Sequence, residues 1–285
     1  MPAVSIIMRS RNDMPLISAT LTAIYRQRFH DFELLNVDCT STDGTAEEIR
    51  RWNPQGVVSI RPEDYVPGKV LNAAVARCSG QLVVFNNSDC IPQHEDWLEN
   101  LITPLQERSA DIVYANQLPR PDARPLVRKD YIRAFGDGKI AASWDHFFSL
   151  ASAAAPRELL MRYPFNEQVQ YSEDVEWSYR LKQLHFRIGY VADAVVEHSH
   201  NYTGPEVWKR FYNEGKAEYV IFGPRRNFFS GFLRPWLAEN CRDFGYLCRH
   251  REFAAIPGGI VYRWQQKLAA WCGRRPQPPP NKTQK

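Results

Sequence analysis

Three short clusters in this chain carry residues able to do chemistry on a phosphate-bearing substrate. Asn87-Ser88-Asp89 follows directly on the apolar run Leu82-Val-Val-Phe85. A carboxylate there can hold a hard divalent cation, which takes oxygen ligands and bridges to phosphate oxygens. An Asn-Asp turn after a strand is also ordinary turn chemistry, so this cluster decides nothing alone. Glu173 and Asp174 stand in Tyr171-Ser-Glu-Asp-Val-Glu-Trp177, at the start of a stretch with helical spacing. Acids in a first turn suit the helix dipole, yet a carboxylate aimed into a cleft can also take a proton from a hydroxyl. His198 and His200 alternate at the end of another apolar run, and a neutral imidazole is a fitting further metal ligand beside Asp89.

Such clusters work only if a frame brings them together. Val4–Met8 is a short apolar run of the buried parallel-strand kind, followed by Ile17, Leu21 and Ile24 at helical spacing. Phe32–Val37 reads as a second strand, ending on Asp38 and the polar turn Thr40–Thr45. A helix over Ala46–Trp52, a strand at Val57–Ile60 and a helix over Val70–Arg77 continue the rhythm. Trp97, Leu98, Leu101, Ile102 and Leu105 mark another helix, and Trp177, Leu181 and Leu184 one more. Arg187–Val196 reads as a strand, and Trp208, Phe211, Gly215, Tyr219 and Phe222 as a helical stripe.

Strands alternating with helices predict βαβ units, a mostly parallel sheet, and ligands at the carboxyl ends of its strands. Three strands end in polar turns there: Arg9–Asp13, Asp38–Asp43 and Asn86–Asp89. Gln117–Trp144, rich in Pro, Arg and Asp, is predicted to be a long loop with little regular structure, of the kind that serves as a lid.

Taken together, Val4–Asn12, Asn36–Thr45, Leu82–Cys90, Ser172–Trp177 and Val196–His200 resemble, in order and spacing, the successive motifs of family 2 glycosyltransferases with the GT-A fold. The resemblance spans about Pro2 to Phe222 and implies a Rossmann-like α/β domain with a mostly parallel central sheet flanked by helices. It also implies an inverting transfer of a sugar from a nucleotide-sugar donor, of UDP-hexose or dTDP-rhamnose type. The recipient would be a hydroxyl of a glycan or lipid-linked acceptor in cell-surface polysaccharide or O-antigen synthesis. By the same resemblance Asp174 is the catalytic base, and Asp89 and His198 ligand Mg²⁺ or Mn²⁺, with His200 the weaker candidate. Asp38 and the loop of Arg9, Arg11 and Asn12 belong to the nucleotide site, together with Asp43, Lys69, Asn87 and Ser88. Glu173 and Trp177 are expected to line the acceptor side. One departure stands out: the first carboxylate of the family's DxD motif is Asn87, which removes one negative charge from the metal site.

The expected organisation is a catalytic domain over 1–224, with a donor half at 1–115 and an acceptor half at 116–224. A helical basic-aromatic region at 225–275 and a disordered tail at 276–285 follow. Within 285 residues the apolar and charged shares, 44% and 24%, are ordinary for a globular chain. Six scattered cysteines form no CxxC pair, which argues against thiolate metal sites and for free thiols in a reducing cytosol. The chain reads into an apolar strand without a signal-type segment, and no run approaches a membrane span.

From Arg225 to Lys285 there are 12 Lys and Arg against 3 acids, a local +9 beside a body of −5. Ten aromatics between Asn227 and Arg275 are interspersed with that charge, a composition suited to an anionic membrane surface. The expected location is cytoplasmic, peripheral on the inner face of the cytoplasmic membrane. No nucleic-acid motif accompanies the charge. Two other readings compete: a nucleotidyltransferase, which should show a Gly-rich phosphate loop that Arg9–Asp13 lacks, and a degenerate binding or scaffold module, for which Asn87 is the argument.

Overall fold

A computed structural model describes residues 1–53, 56–224 and 227–276. The disordered tail expected at 276–285 thus lies, but for Pro276, outside the described residues. The chain divides into two units: Met1–Ala123, Asp130–Val169 and Glu173–Ser199 form the first, and Arg124–Lys129, Gln170–Ser172 and His200–Lys285 the second.

In the first unit the strands are β1 (Val4–Ser10), β2 (Phe32–Asp38), β3 (Val57–Ser59), β4 (Leu82–Asn86), β5 (Ile91–Pro92), β6 (Ile112–Leu118), β7 (Ser152–Pro156) and β8 (Ile188–Glu197). They make one sheet in the order β3-β2-β1-β4-β7-β6-β8-β5. β1 pairs in parallel with β2 and β4, and β6 with β8. β7 runs against both β4 and β6, and β5 against β8, so the sheet is mixed with a parallel majority.

The connecting helices are α1 (Leu16–Tyr25), α2 (Thr45–Trp52), α3 (Pro67–Arg77), α4 (Trp97–Gln106), α5 (Pro125–Ala134), α6 (Lys139–Ala142), α7 (Arg157–Arg162) and α8 (Glu173–Gln183). Alternation along β1 sorts them into layers. Val4, Ile6 and Met8 join a core with Ile17, Leu21 and Ile24 of α1 and Trp97, Leu98 and Leu101 of α4. Ile7 points the other way, into a core with Val70 and Leu71 of α3 and Trp177 and Leu181 of α8. Helices on both faces of the sheet bury the central strands β1 and β4, which is why those two read as nearly continuous apolar runs.

The long loop expected at Gln117–Trp144 is corrected. Its start belongs to β6, and α5 and α6 lie within it. Pro125 opens α5 at a position where a missing N–H costs nothing. The buried face of that helix carries Leu126 and Lys129, so an apolar period was never there to find.

The second unit consists chiefly of α9 (Gly204–Phe222), α10 (Arg234–Arg249) and α11 (Ile256–Gly273). Glycines let α9 and α11 approach closely. A Cβ on Gly215 would fall 2.1 Å from the carbonyl oxygen of Ala270, and one on Gly273 2.0 Å from that of Tyr212. The interior also holds a buried ionic cluster. Lys129 pairs with Glu239 at 2.6 Å and with Asp243, Arg263 bonds Asp243 at 2.7 Å, and Arg242 bonds Glu239 at 2.6 Å. Among the described residues no helix is long and apolar enough to cross a membrane.

Candidate active site

β4 is a buried strand whose last residue, Asn86, lies 1% exposed, and the chain turns sharply beyond it. Asn86 fixes the turn by donating Nδ2–H to the Cys90 carbonyl at 2.8 Å. The turn is tied to its neighbours by two backbone bonds, Asn87 N–H to the Ala151 carbonyl and Ser88 N–H to the Arg9 carbonyl. Asp89 is thereby held, nearly buried, where β8 ends and His198 follows.

The Asp89 Oδ2 and His198 Nε2 atoms stand 3.6 Å apart. The other ring nitrogen, Nδ1, lies 2.8 Å from the Gln117 Oε1 and 3.4 Å from the Tyr131 hydroxyl. Because an amide oxygen only accepts, Nδ1 is the donor to Gln117, which leaves Nε2 facing Asp89 and able, in the neutral ring, to offer a lone pair to a metal. Gln117 is itself fixed, donating from Nε2 to the Ser149 hydroxyl at 2.9 Å. Asp89, Cys90 and His198 bring their ligand atoms within 4.8 Å of one another. Burial pushes the Cys90 thiol well above its ordinary range, which leaves a carboxylate oxygen and an imidazole nitrogen as the ready donors. That set suits Mn²⁺ or Mg²⁺. Arg120 donates from Nη2 to the Asp89 carbonyl at 2.7 Å and sits 3.4 Å from its carboxylate, so a fixed cation already borders the position.

A second group assembles around Arg9 at the end of β1. Its Nη1 bonds Glu173 at 2.7 Å and lies 3.4 Å from the Tyr65 hydroxyl, while Nη2 lies 3.4 Å from the Asn87 Oδ1. Burial works against the Arg9 charge, but Tyr65 and Glu173 outweigh it and hold the guanidinium more firmly protonated. Asp174 follows, at the start of α8, accepting from Leu150 N–H at 3.2 Å and from Val175 N–H at 2.8 Å. Burial first, and the neighbouring Glu173 carboxylate second, push the Asp174 carboxyl up to about 6. A carboxylate raised in this way is a stronger proton acceptor than an ordinary aspartate.

The remaining expected residues divide. Asp38, 2% exposed, accepts from the Ser10 hydroxyl at 2.8 Å and from Ser41 through both N–H and hydroxyl. Asn12 accepts from Thr42 N–H at 2.8 Å, which links the β1 and β2 turns. Asp43 is exposed and receives Met14 N–H and Thr45 N–H, tying together the starts of α1 and α2. Ser88 donates to Asp13, whose carboxyl is raised mainly by burial. Arg11 and Lys69 are exposed, the latter on α3.

Two placements differ from expectation. Trp177 does not line a cleft: it is fully buried, its ring tilted against Phe165 at 4.9 Å and donating Nε1–H to the Tyr163 carbonyl. A large ring on the apolar stripe of α8 is drawn into the core by its own area. His198 and His200 do not alternate along a strand, since β8 ends at Glu197; His200 belongs to the second unit, where it stacks on Tyr202 at 5.3 Å. Gln117 and Arg120 were not singled out from sequence. An amide or a guanidinium announces nothing until its partner, far away in the chain, is placed.

The order of the strands, the polar turns at their carboxyl ends and the helices on both faces define a GT-A-type α/β transferase domain. The chain belongs to the glycosyl transferase family 2, whose model matches residues 5–164. It is 28% identical over 243 residues to the O-antigen chain rhamnosyltransferase WbaN of Salmonella anatum, covering 79% of this chain and 72% of that protein. Over 119 residues it is 28% identical to the Escherichia coli UDP-Glc:alpha-D-GlcNAc-diphosphoundecaprenol beta-1,3-glucosyltransferase WfgD, covering 40% and 45%. Among solved structures it resembles the mannosyltransferase PcManGT of Pyrobaculum calidifontis, in complex with GDP-Man and Mn²⁺. The TM-score there is 0.63 at 22% identity, over 95% of this chain and 86% of that one. Membership in the family sets aside the nucleotidyltransferase reading.

Proposed function

We propose that this glycosyltransferase acts in O-antigen or related cell-surface polysaccharide synthesis, moving a sugar with inversion from a nucleotide-sugar donor to a hydroxyl of a lipid-linked glycan. The observation that carries the metal-dependent part is the Asp89–His198 pair at 3.6 Å, with Nδ1 committed to Gln117 and Nε2 turned to the carboxylate. Asp89 and His198 would hold Mn²⁺ or Mg²⁺, and the ion supplies charge neutralisation for a diphosphate leaving group. Asn87 contributes an amide rather than a second charge at this place. Arg120 and Arg9 add fixed positive charge on either side.

The loop of Arg9, Arg11 and Asn12, with Asp38 and Asp43, forms the nucleotide side, and Lys69 borders it. Glu173 positions Arg9 through their ion pair. Asp174 accepts the proton of the acceptor hydroxyl as its oxygen bonds to the anomeric carbon. The bond from that carbon to the diphosphate breaks with its electron pair, so charge and atoms balance in one displacement. The WbaN likeness favours a deoxyhexose donor of dTDP-rhamnose type over a UDP-hexose.

We also infer that the second unit rests on an anionic membrane on the cytoplasmic side. Phe229, Phe244, Phe253, Val261 and Trp264 are exposed there, and Arg234, Arg249 and Arg251 are exposed among them. Mixed apolar and basic surface of this kind suits a headgroup layer.

The test is donor binding by thermal shift across nucleotide sugars, with Mn²⁺ or EDTA. Stabilisation by one donor that needs the metal, and is lost in Asp89→Ala and not in His200→Ala, is the expected result. Donor binding indifferent to EDTA would overturn the metal assignment.

A further inference from the structure

The second unit holds a partly open cavity of about 240 Å³ that the site described above does not use. Its walls are apolar, formed by Leu126 and Val127 of α5 together with Gly258 at the start of α11, and its polar members are Arg124, Tyr202 and Tyr262. Arg124 is exposed and is held at the cavity by donating from Nη1 to the Tyr202 carbonyl at 2.9 Å.

Gly258 is informative because packing does not require it. A Cβ there meets no heavy atom within 4 Å, whereas one on its neighbour Gly259 would fall 2.9 Å from Leu126. What Gly258 does is leave one wall bare. A sugar or a nucleobase would need polar groups on several sides, which these walls do not offer. A hydrocarbon needs none. An arginine beside an apolar cavity fits an amphiphile whose head is a phosphate or diphosphate.

We propose that this cavity binds the first isoprene units of a polyprenyl-diphosphate-linked acceptor, with Arg124 as the cation for its diphosphate. The proposal rests on the lipid-linked reading of the acceptor given above. A free anionic phospholipid shares the same chemistry, and the test separates the two.

The full chain is titrated, without metal, with farnesyl diphosphate, inorganic pyrophosphate and dihexanoylphosphatidylglycerol, following heat or intrinsic fluorescence. Farnesyl diphosphate should bind at least about tenfold more tightly than either of the others. Gly258→Leu, which adds a side chain at the cavity lining, should weaken it by about tenfold or more, and Arg124→Gln should weaken it as well. Val127→Phe fills the same space from α5 and serves if Gly258→Leu is unstable. UDP and dTDP binding with Mn²⁺ is measured on the same samples and should be unchanged in the cavity variants. Farnesyl diphosphate no better than pyrophosphate, preference for the phospholipid, or indifference to both filled variants would overturn the cavity proposal. Farnesyl diphosphate binding without any Mn²⁺-dependent nucleotide binding would instead overturn the donor reading and leave the cavity standing.

Discussion

Asp174 and Gln117 make the sharpest statements at the level of single residues. Asp174 must be ionised to accept a proton, and burial with Glu173 beside it raises its carboxyl to about 6. Turnover should therefore climb as pH rises through about 6 and level off above it. For the fold the sign is opposite: a carboxyl raised above its unfolded value favours the protonated form, so its ionisation takes stability away as pH rises over that range. Asp174→Asn should keep donor binding, lose the acidic limb of the profile and lower turnover by roughly a hundredfold or more. Undiminished turnover on the true acceptor would remove Asp174 from the role. Gln117 bonds His198 and is proposed to act through it as a positioning residue. Gln117→Leu should weaken Mn²⁺ binding by about tenfold to a hundredfold, because the imidazole loses the acceptor that fixes its tautomer. Gln117→Glu keeps an acceptor and should retain most of the affinity; calorimetry with Mn²⁺ and nucleoside diphosphate reads both.

Among the elements, α9 and α11 meet where glycine is obligatory. Gly215→Val should destabilise the chain by about 1–3 kcal/mol, since backbone and not a flexible tip lies 2.1 Å from the added carbon. Gly245→Ala on α10 meets nothing within 4 Å and should leave the melting temperature level or slightly higher. Lys129→Met leaves Glu239 and Asp243 with one fewer buried partner, a change of about 3–5 kcal/mol for such pairs. Thermal melts of the three variants check the order.

The same elements tell what a sequence can and cannot convey. β1, β2, β4, α1, α3 and α4 are legible because each carries an apolar period that matches its layer. β7 is Ser-Ala-Ala-Ala-Pro, small side chains without strand preference, and it becomes a strand because β4 and β6 flank it. α5 hides for a different reason: its buried position 129 is a lysine, neutralised by acids more than a hundred residues downstream. The clusters at Asp89, Asp174 and His198 could be pointed to as chemistry, but Gln117 and Arg120 become meaningful only once the fold sets them beside His198 and Asp89.

For the molecule as a whole, charge and apolar surface are concentrated toward one end of the chain. Not all of the +9 counted after Pro224 is available to a surface. Arg242 and Arg263 are engaged by Glu239 and Asp243, and Arg274 by Glu218. Among the described residues, the exposed Arg234, Arg249 and Arg251 are ones a leaflet would meet, at about 1 kcal/mol each near anionic lipid. Sedimentation with anionic vesicles should show binding that weakens as salt rises. Replacing Phe229, Phe244 and Phe253 with serine should weaken it further without altering Mn²⁺-dependent donor binding. Indifference to anionic vesicles at low salt would leave these helices as a packed subdomain or a protein-partner surface.

Of the six cysteines, Cys39, Cys78 and Cys90 are buried, and Cys241 is the exposed one. It stands in a groove shared with Leu237, Phe244 and Ile260, within the apolar surface proposed to meet the bilayer. The molecule therefore carries its own labelling handle. A maleimide dye should react there first, while burial shields the thiol beside Asp89. A polarity-sensitive fluorophore at that one position would report, by the colour of its emission, whether this groove leaves water when vesicles are added.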